Sequence, residues 1–179
     1  MKNNYERARI RKLQSGDAVA AFDCGDSDLN EFILKEAMLY REAMLAVTYV
    51  LEDERQNTLA YFSLANDRIS LSDFETKTEF NRFRKHKFVN EKRIKSYPAA
   101  KICRFAVGNS EKGMHLGSYL IDFIKSYFVE DNKTGCRFLT VDAYADAVPF
   151  YLKNDFIPLN DDDKEESTRL LFFDLNDIG

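Results

Sequence analysis

Between Ala99 and Asp142 the hydrophobic pattern changes period twice, which narrows the folds open to this chain more than any other feature. Ala99 to Val107 (AAKICRFAV) is an apolar run that stops at the turn-prone Gly108-Asn109-Ser110, as a buried strand does. From about Gly113 a helix is predicted. Its apolar stripe is Leu116, Leu120, Ile121, Ile124 and Phe128, while Ser118, Asp122, Lys125 and Ser126 fall mostly off it. Cys136 to Asp142 (CRFLTVD) reads as a strand again. A strand, a helix and a strand make a crossover unit whose two strands run parallel.

The rest of the chain surrounds that unit with other pairings. Ala8 to Leu13 carries an imperfect strand alternation. Asp26, Ser27 and Asp28 offer N-caps for a helix in which Leu29, Phe32, Ile33, Ala37, Tyr40 and Met44 recur at helical spacing. Ala46 to Leu51 and Thr58 to Leu64 are β-branched and aromatic runs separated by Glu52 to Asn57, an antiparallel hairpin. Ser70 to Ser96 is polar and basic with scattered Phe74, Phe80, Phe83 and Phe88; a helix with a loop and a mobile excursion are both open there. Asp146 to Lys153 reads as a short helix and Arg169 to Leu175 as a last strand. A hairpin beside a crossover requires a mixed sheet, so the class is α/β (α+β), in one domain over residues 1–179.

Composition excludes several classes. With 45% hydrophobic and 31% charged residues, 15 Phe and 9 Tyr, the chain can bury an aromatic-rich core and is not disordered. No run approaches a membrane span and the first residues, Met1 to Arg7, lack the apolar stretch of a signal peptide, so the expected location is cytoplasmic. Cys24, Cys103 and Cys136 are far apart and form neither a disulfide framework nor metal-ligand spacing; no metal is expected. A net charge of -4 does not suit a general nucleic-acid binder. Charge is segregated, however: Arg82, Arg84, Lys85, Lys87, Lys92, Arg93, Lys95, Lys101 and Arg104 face only Glu91, whereas 161–166 is acidic.

The residues that carry chemistry sit at the strand-to-helix junction. Lys112-Gly113-Met114-His115-Leu116-Gly117-Ser118 opens the helix, and the first N–H groups of a helix have no intrahelical acceptor. An anion there gains from those donors and from the helix dipole, with glycines allowing close approach. A second reading stays open, in which Gly113 and Gly117 make only a turn and a close helix contact. The segment is neither a P-loop nor GxGxxG. Directly after the neighbouring strand comes Ala147-Val148-Pro149-Phe150-Tyr151-Leu152-Lys153-Asn154-Asp155-Phe156. A phenol of pKa about 10 is near enough to a thiol to protonate a departing thiolate. A packing role for Tyr151 is the alternative. His86 reads as a solvated residue, Cys103 as a buried structural thiol, and Asp142 as either a base or a helix cap.

Together the two clusters resemble the Gcn5-related N-acetyltransferase family. The loop is similar to its Arg/Gln-x-x-Gly-x-Gly/Ala pyrophosphate motif, with Lys112, His115 and Gly117 in the defined places, after a strand ending Ala106-Val107. Ala147, Phe150, Tyr151 and Phe156 match an Ala-x-x-Phe-Tyr-x-x-x-Gly-Phe segment. The departures are His115 and Asp155, where the family has glycine, and Tyr144, where it often has Asn. The resemblance implies a mixed, mostly antiparallel sheet splayed around acetyl-CoA and flanked by helices. It implies Phe105, Ala106 and Val107 on the pantetheine arm, with Tyr144 a further contact. It places Lys112, Gly113, Met114, His115, Leu116, Gly117 and Ser118 on the pyrophosphate, and makes Tyr151 the general acid as a primary amine attacks directly.

Three functions follow as expectations: an N-acetyltransferase of unspecified amine, a toxin-like acetyltransferase of aminoacyl-tRNA, and a non-catalytic acyl-CoA sensor. The second draws on a further resemblance to the tRNA-acetylating subgroup in Phe22-Asp23-Cys24-Gly25, Leu29-Asn30-Glu31-Phe32-Ile33, Tyr97-Pro98-Ala99-Ala100 and Asp142-Ala143, with Arg82 to Lys95 meeting RNA phosphates. A homodimer is one arrangement open to it.

Overall fold

The structure, a computed structural model, describes residues 8–85, 87, 94–130, 134–161, 163–164 and 166–178. In chain order the elements are β1 (Arg9–Lys12), α1 (Ser27–Glu31), a π-helical turn (Phe32–Glu36), α2 (Ala37–Glu42), β2 (Val47–Glu52), β3 (Thr58–Ser70), α3 (Lys77–Arg84) and β4 (Ser96–Val107). They continue with α4 (Leu116–Glu130), β5 (Phe138–Tyr144), α5 (Val148–Lys153), β6 (Ile157–Pro158) and β7 (Thr168–Asp174). The strands form one seven-stranded sheet in the order β1-β2-β3-β4-β5-β7-β6. β4 and β5 are parallel, joined by α4 as expected of the crossover, whereas β1–β2, β2–β3, β5–β7 and β6–β7 are antiparallel. The sheet is mixed and mostly antiparallel.

By contact density the chain forms two compact units, Met1–Ala65 with Ile102–Phe123 and Asn66–Lys101 with Ile124–Gly179. In the first, Asp26 caps α1 by accepting from the N–H groups of Asp28 at 2.9 Å and Leu29 at 3.0 Å. The helix then widens into the π turn, where the Ala37 N–H reaches back to the Phe32 carbonyl. That extra residue per turn lets Phe32, Ile33 and Ala37 all bury, each 2% exposed, a departure from regular spacing that the sequence pattern does not predict. They pack in a cluster with Leu13, Phe22, Cys24, Val50, Tyr61 and Ala106. The buried Tyr61 hydroxyl donates to the Leu29 carbonyl at 2.7 Å, and burial pushes this phenol's pKa up.

The second unit is built on aromatic contacts. Ile69, Phe80, Tyr97, Ala99, Phe138, Leu159 and Phe172 form its core, with Phe74 and Phe83 against it. The stretch 70–96 supplies three of those rings because it contains α3, capped by a reciprocal Thr76–Glu79 box with both bonds at 3.2 Å. Phe88 lies outside the described residues. β3 runs to Ser70, six residues beyond the expected Leu64. The polar Asn66-Asp67-Arg68 looks like a turn, but the buried Thr140 hydroxyl donates to Asp67 and keeps the strand going. β5 and α5 both begin two residues later than expected, at Phe138 and Val148.

Phe138 is fully buried, with Phe83, Tyr97 and Phe172 rings 5.6 to 6.2 Å away. Phe138→Ala is expected to lower the unfolding free energy by about 4 kcal/mol, checked by urea denaturation; a loss under about 1 kcal/mol would contradict this core assignment.

Candidate active site

The chain leaves β4 at Val107 and enters α4 at Leu116 through a tight path. A 3-10 turn covers Asn109–Glu111, then Gly113 and His115 take positive φ values of 80° and 61°. Left-handed residues cannot belong to a right-handed helix, so α4 starts three residues after the expected Gly113. The Tyr119 N–H donates to the His115 carbonyl at 3.1 Å, which makes His115 the residue before the first helical turn. The N–H groups of Leu116, Gly117 and Ser118 are therefore those that a helix start leaves without intrahelical acceptors. Two left-handed residues, Gly113 and His115, flank Met114 just before them, after an extended Lys112. A Cβ added to Gly113 would meet nothing within 4 Å, and Met114 is 52% exposed, so this side of the loop is open.

The approach to that loop is tied down by the segment before α1. Gly108 donates to the Leu59 carbonyl at 2.8 Å and Asn109 N–H to the Asp23 carbonyl at 2.9 Å. The Asp23 carboxylate accepts from Gly25 N–H at 2.8 Å, Asn30 Nδ2 at 2.9 Å and Asn109 Nδ2 at 3.1 Å. These donors, the Gly25 N–H first and then Asn30, hold its carboxyl below the usual carboxylate range. Lys112 Nζ, in the place of the motif's Arg or Gln, donates to the Cys24 carbonyl at 2.7 Å. Two of its three ammonium protons are left for an oxyanion.

On β4, Phe105 and Val107 are half-buried and Ala106 buried. The ladder between β4 and β5 comprises Ala99↔Phe138, Ala100↔Leu139 and Lys101↔Thr140, and residues 105–107 lie past its last pair. Tyr144 ends β5 and is 62% exposed.

Tyr151 belongs to the second unit, in the interior of α5, and is 5% exposed. Its ring meets Phe150 at 5.1 Å and Phe156 at 5.5 Å, both edge-on. Burial pushes its pKa up from the ordinary 10.0, so the phenol keeps its proton at neutral pH. α5 ends on a charged clasp: the buried Lys125 donates to the Asn154 carbonyl at 2.9 Å, pairs with Asp155 at 3.3 Å, and lies 4.0 Å from the centroid of Phe173. A cation at a helix C-terminus is stabilising there. Lys125 was expected off the apolar stripe; its stem is buried and its charge is spent on this clasp.

Other expected residues fall elsewhere. Asp142 lies within β5 in an ion pair with Lys101, so it caps no helix. Cys103 is half-buried rather than buried. Cys24 is the buried thiol, donating to Asn30 Oδ1 at 3.2 Å. His86 lies outside the described residues, as do 88–93 of the basic stretch. Of its described cations, Lys87 is engaged with Asp174 at 3.3 Å. Among the described residues no cluster of His, Cys, Asp and Glu could hold a metal ion.

The strand β4, the loop, α4, β5 and α5 together span residues 96–153. The sequence profile of the acetyltransferase (GNAT) domain matches residues 83–174, just over half the chain. The chain belongs to the GNAT acetyltransferase family. No curated protein sequence matches it. Solved structures do: AtaT complexed with acetyl-methionyl-tRNAfMet has 21% identity over 96% of each chain and a TM-score of 0.75. AtaTR bound with AcCoA has 22% identity, 96% of each chain and 0.75. A tyrosine mutant of KacT has 22% identity over 97% of this chain and 98% of its own, with a TM-score of 0.77. These likenesses are of fold.

Both places where this GNAT chain lacks a motif glycine have left-handed backbone, His115 at φ 61° and Asp155 at φ 65°. Both positions hold a conformation that glycine adopts readily. At position 115 backbone conformation, not the imidazole, is therefore the constraint. His115→Gly is expected to leave stability within about 0.5 kcal/mol, whereas β-branched His115→Val loses about 1–2 kcal/mol. Chemical denaturation checks both, and equal losses would show that the imidazole is what matters.

Proposed function

We propose that this GNAT chain is an acetyl-CoA-dependent N-acetyltransferase that acts on a primary amine. The observation that carries the reading is the start of α4, where the N–H groups of Leu116, Gly117 and Ser118 follow a left-handed loop open on the Gly113 side. Those donors, with the remaining protons of Lys112, suit a pyrophosphate. Residues Lys112 to Ser118 would hold it. Main-chain groups of Phe105, Ala106 and Val107, beyond the β5 ladder, would align the pantetheine arm, and Tyr144 would add a contact to it. Acetyl-CoA supplies the acetyl thioester.

Tyr151 is the general acid in this reading. The neutral amine attacks the thioester carbonyl, the C–S bond breaks, and the phenol O–H gives its proton to the departing sulfur. Burial alone makes the phenol a weaker acid, but a desolvated thiolate is a correspondingly stronger base, so the two effects offset. The Asp142 carboxylate is engaged by Lys101, so the amine loses its proton through water. Structures of Tyr-to-Phe mutants exist for both AtaT and KacT, which draws attention to a tyrosine in this fold.

A second reading names the amine as the α-amino group of an aminoacyl-tRNA. It is favoured by the full-length likeness to AtaT captured with acetyl-methionyl-tRNAfMet, and by Arg82, Lys85 and Lys95, which are exposed. A tRNA body would meet those cations through its phosphates. The chain could act as a homodimer in either case. Radiolabelled acetyl-CoA offered with charged tRNA, free amino acids and polyamines separates the acceptors.

Tyr151→Phe is expected to lower kcat about 100-fold with the acetyl-CoA dissociation constant unchanged. Because burial holds the proton on Tyr151 above the ordinary pKa of 10.0, its ionisation should cause no fall in wild-type kcat between about pH 8 and pH 10. CoA release followed against pH checks both; a Tyr151→Phe variant at full rate removes the acid role.

A further inference from the structure

We propose that Asp23 and Asn30 are positioning residues for acetyl-CoA binding, fastening the Gly108–Lys112 segment so that the loop presents the first N–H groups of α4 to the pyrophosphate. The inference rests on the acetyl-CoA reading of that helix start. Neither residue belongs to the glycine loop or to the segment around Tyr151.

The loop needs outside support. Its own backbone supplies the Glu111 N–H to Gly108 carbonyl bond at 2.9 Å and the longer Met114 to Glu111 bond at 3.3 Å. Against these stand two left-handed residues, of which Gly113 adopts the conformation freely while the non-glycine His115 is disfavoured in it. The fastening comes from 22–30. The carboxylate of Asp23 only accepts, and it takes three donors at once, from Gly25, Asn30 and Asn109. The Asn30 amide is oriented by chemistry on both sides. Its oxygen accepts from the Cys24 N–H at 2.9 Å and from the Cys24 thiol at 3.2 Å, and its nitrogen donates to Asp23. Cys24 thus held offers its carbonyl to Lys112 Nζ at 2.7 Å. The chain of contacts runs from Asn30 through Asp23 to Asn109 and through Cys24 to Lys112.

Close approach is part of the device. Gly25 has φ 86°, and a Cβ there would lie 3.2 Å from Asn109 Oδ1 and 3.5 Å from Lys112 Nζ. Gly108 is similarly confined, since a Cβ would be 3.1 Å from the Leu59 carbonyl oxygen and 3.7 Å from the Phe22 ring. Phe22, whose ring is buried in the first-unit core, anchors the fastening segment to the body of that unit.

Calorimetric titration of acetyl-CoA into the full chain tests this, with Asp23→Ala and Asn30→Ala against Asp53→Ala. Asp53 is a matched control: it accepts from Arg55 and Asn57 N–H groups, both at 2.8 Å, but in the β2–β3 turn. Losing hydrogen bonds to a charged acceptor should weaken acetyl-CoA binding about tenfold for Asp23→Ala and Asn30→Ala, with Asp53→Ala within about twofold of wild type. S-acetylpantetheine, which lacks the pyrophosphate, should compete equally well against wild type and Asp23→Ala, an outcome that general loosening of the unit would not give. If Asp23→Ala does not fold, Asn109→Ala removes the loop-side partner alone and is expected to weaken acetyl-CoA in the same way. Wild type that binds acetyl-CoA, with Asp23→Ala or Asn109→Ala within about twofold, overturns the positioning role and leaves the proposed function standing. Wild type that binds no acetyl-CoA overturns the function reading itself, and this inference with it.

Discussion

The N–H groups at the start of α4 constrain the first unit more than any other feature. A helix start leaves its first donors without intrahelical acceptors, and a cap, water or a ligand must take them. This chain reaches that helix through two left-handed residues in nine, 107 to 115, and supports the detour with bonds from a segment more than eighty residues earlier. The strained entry, the glycine at 25 and the Asp23–Asn30 pair are parts of one solution to one backbone problem. A lysine at 112 takes part in it through the Cys24 carbonyl.

The two motif departures show what a glycine in a motif is for. At 115 and 155 the family glycine is replaced, yet both positions have the conformation that glycine adopts most readily. At 155 the substitution also brings a carboxylate to Lys125, next to the Asn154 carbonyl that this buried ammonium already engages. Matching letters against a motif counts both as losses; the backbone at both is one that a glycine would also adopt.

Much of the fold was legible along the chain. The crossover followed from the change of hydrophobic period, the α1 start from Asp26, and the position of the loop before α4 from a lysine and two glycines at a strand-to-helix junction. The Thr76-Lys77-Thr78-Glu79 capping box of α3 was also written there, although the scattered phenylalanines around it masked the helix. Less legible were the π turn, which exists because Phe32, Ile33 and Ala37 share one buried cluster, and the outer half of β3, where Thr140 satisfies Asp67. The two-residue β6 has no periodicity to read and is made by its pairing with β7.

By itself the sequence determined which elements form and where the reactive types lie, because hydrophobic period, caps and turn residues act over a few neighbours. It located the loop at 112–118 and the tyrosine at 151. Only tertiary structure decided what each does there: that Lys112 is tied to Cys24, that Asp142 is paired with Lys101, and that Tyr151 is buried and holds its proton. Hydrogen bonds, ion pairs and desolvation depend on atoms brought close by folding, and residues 23 and 109 are neighbours in space alone.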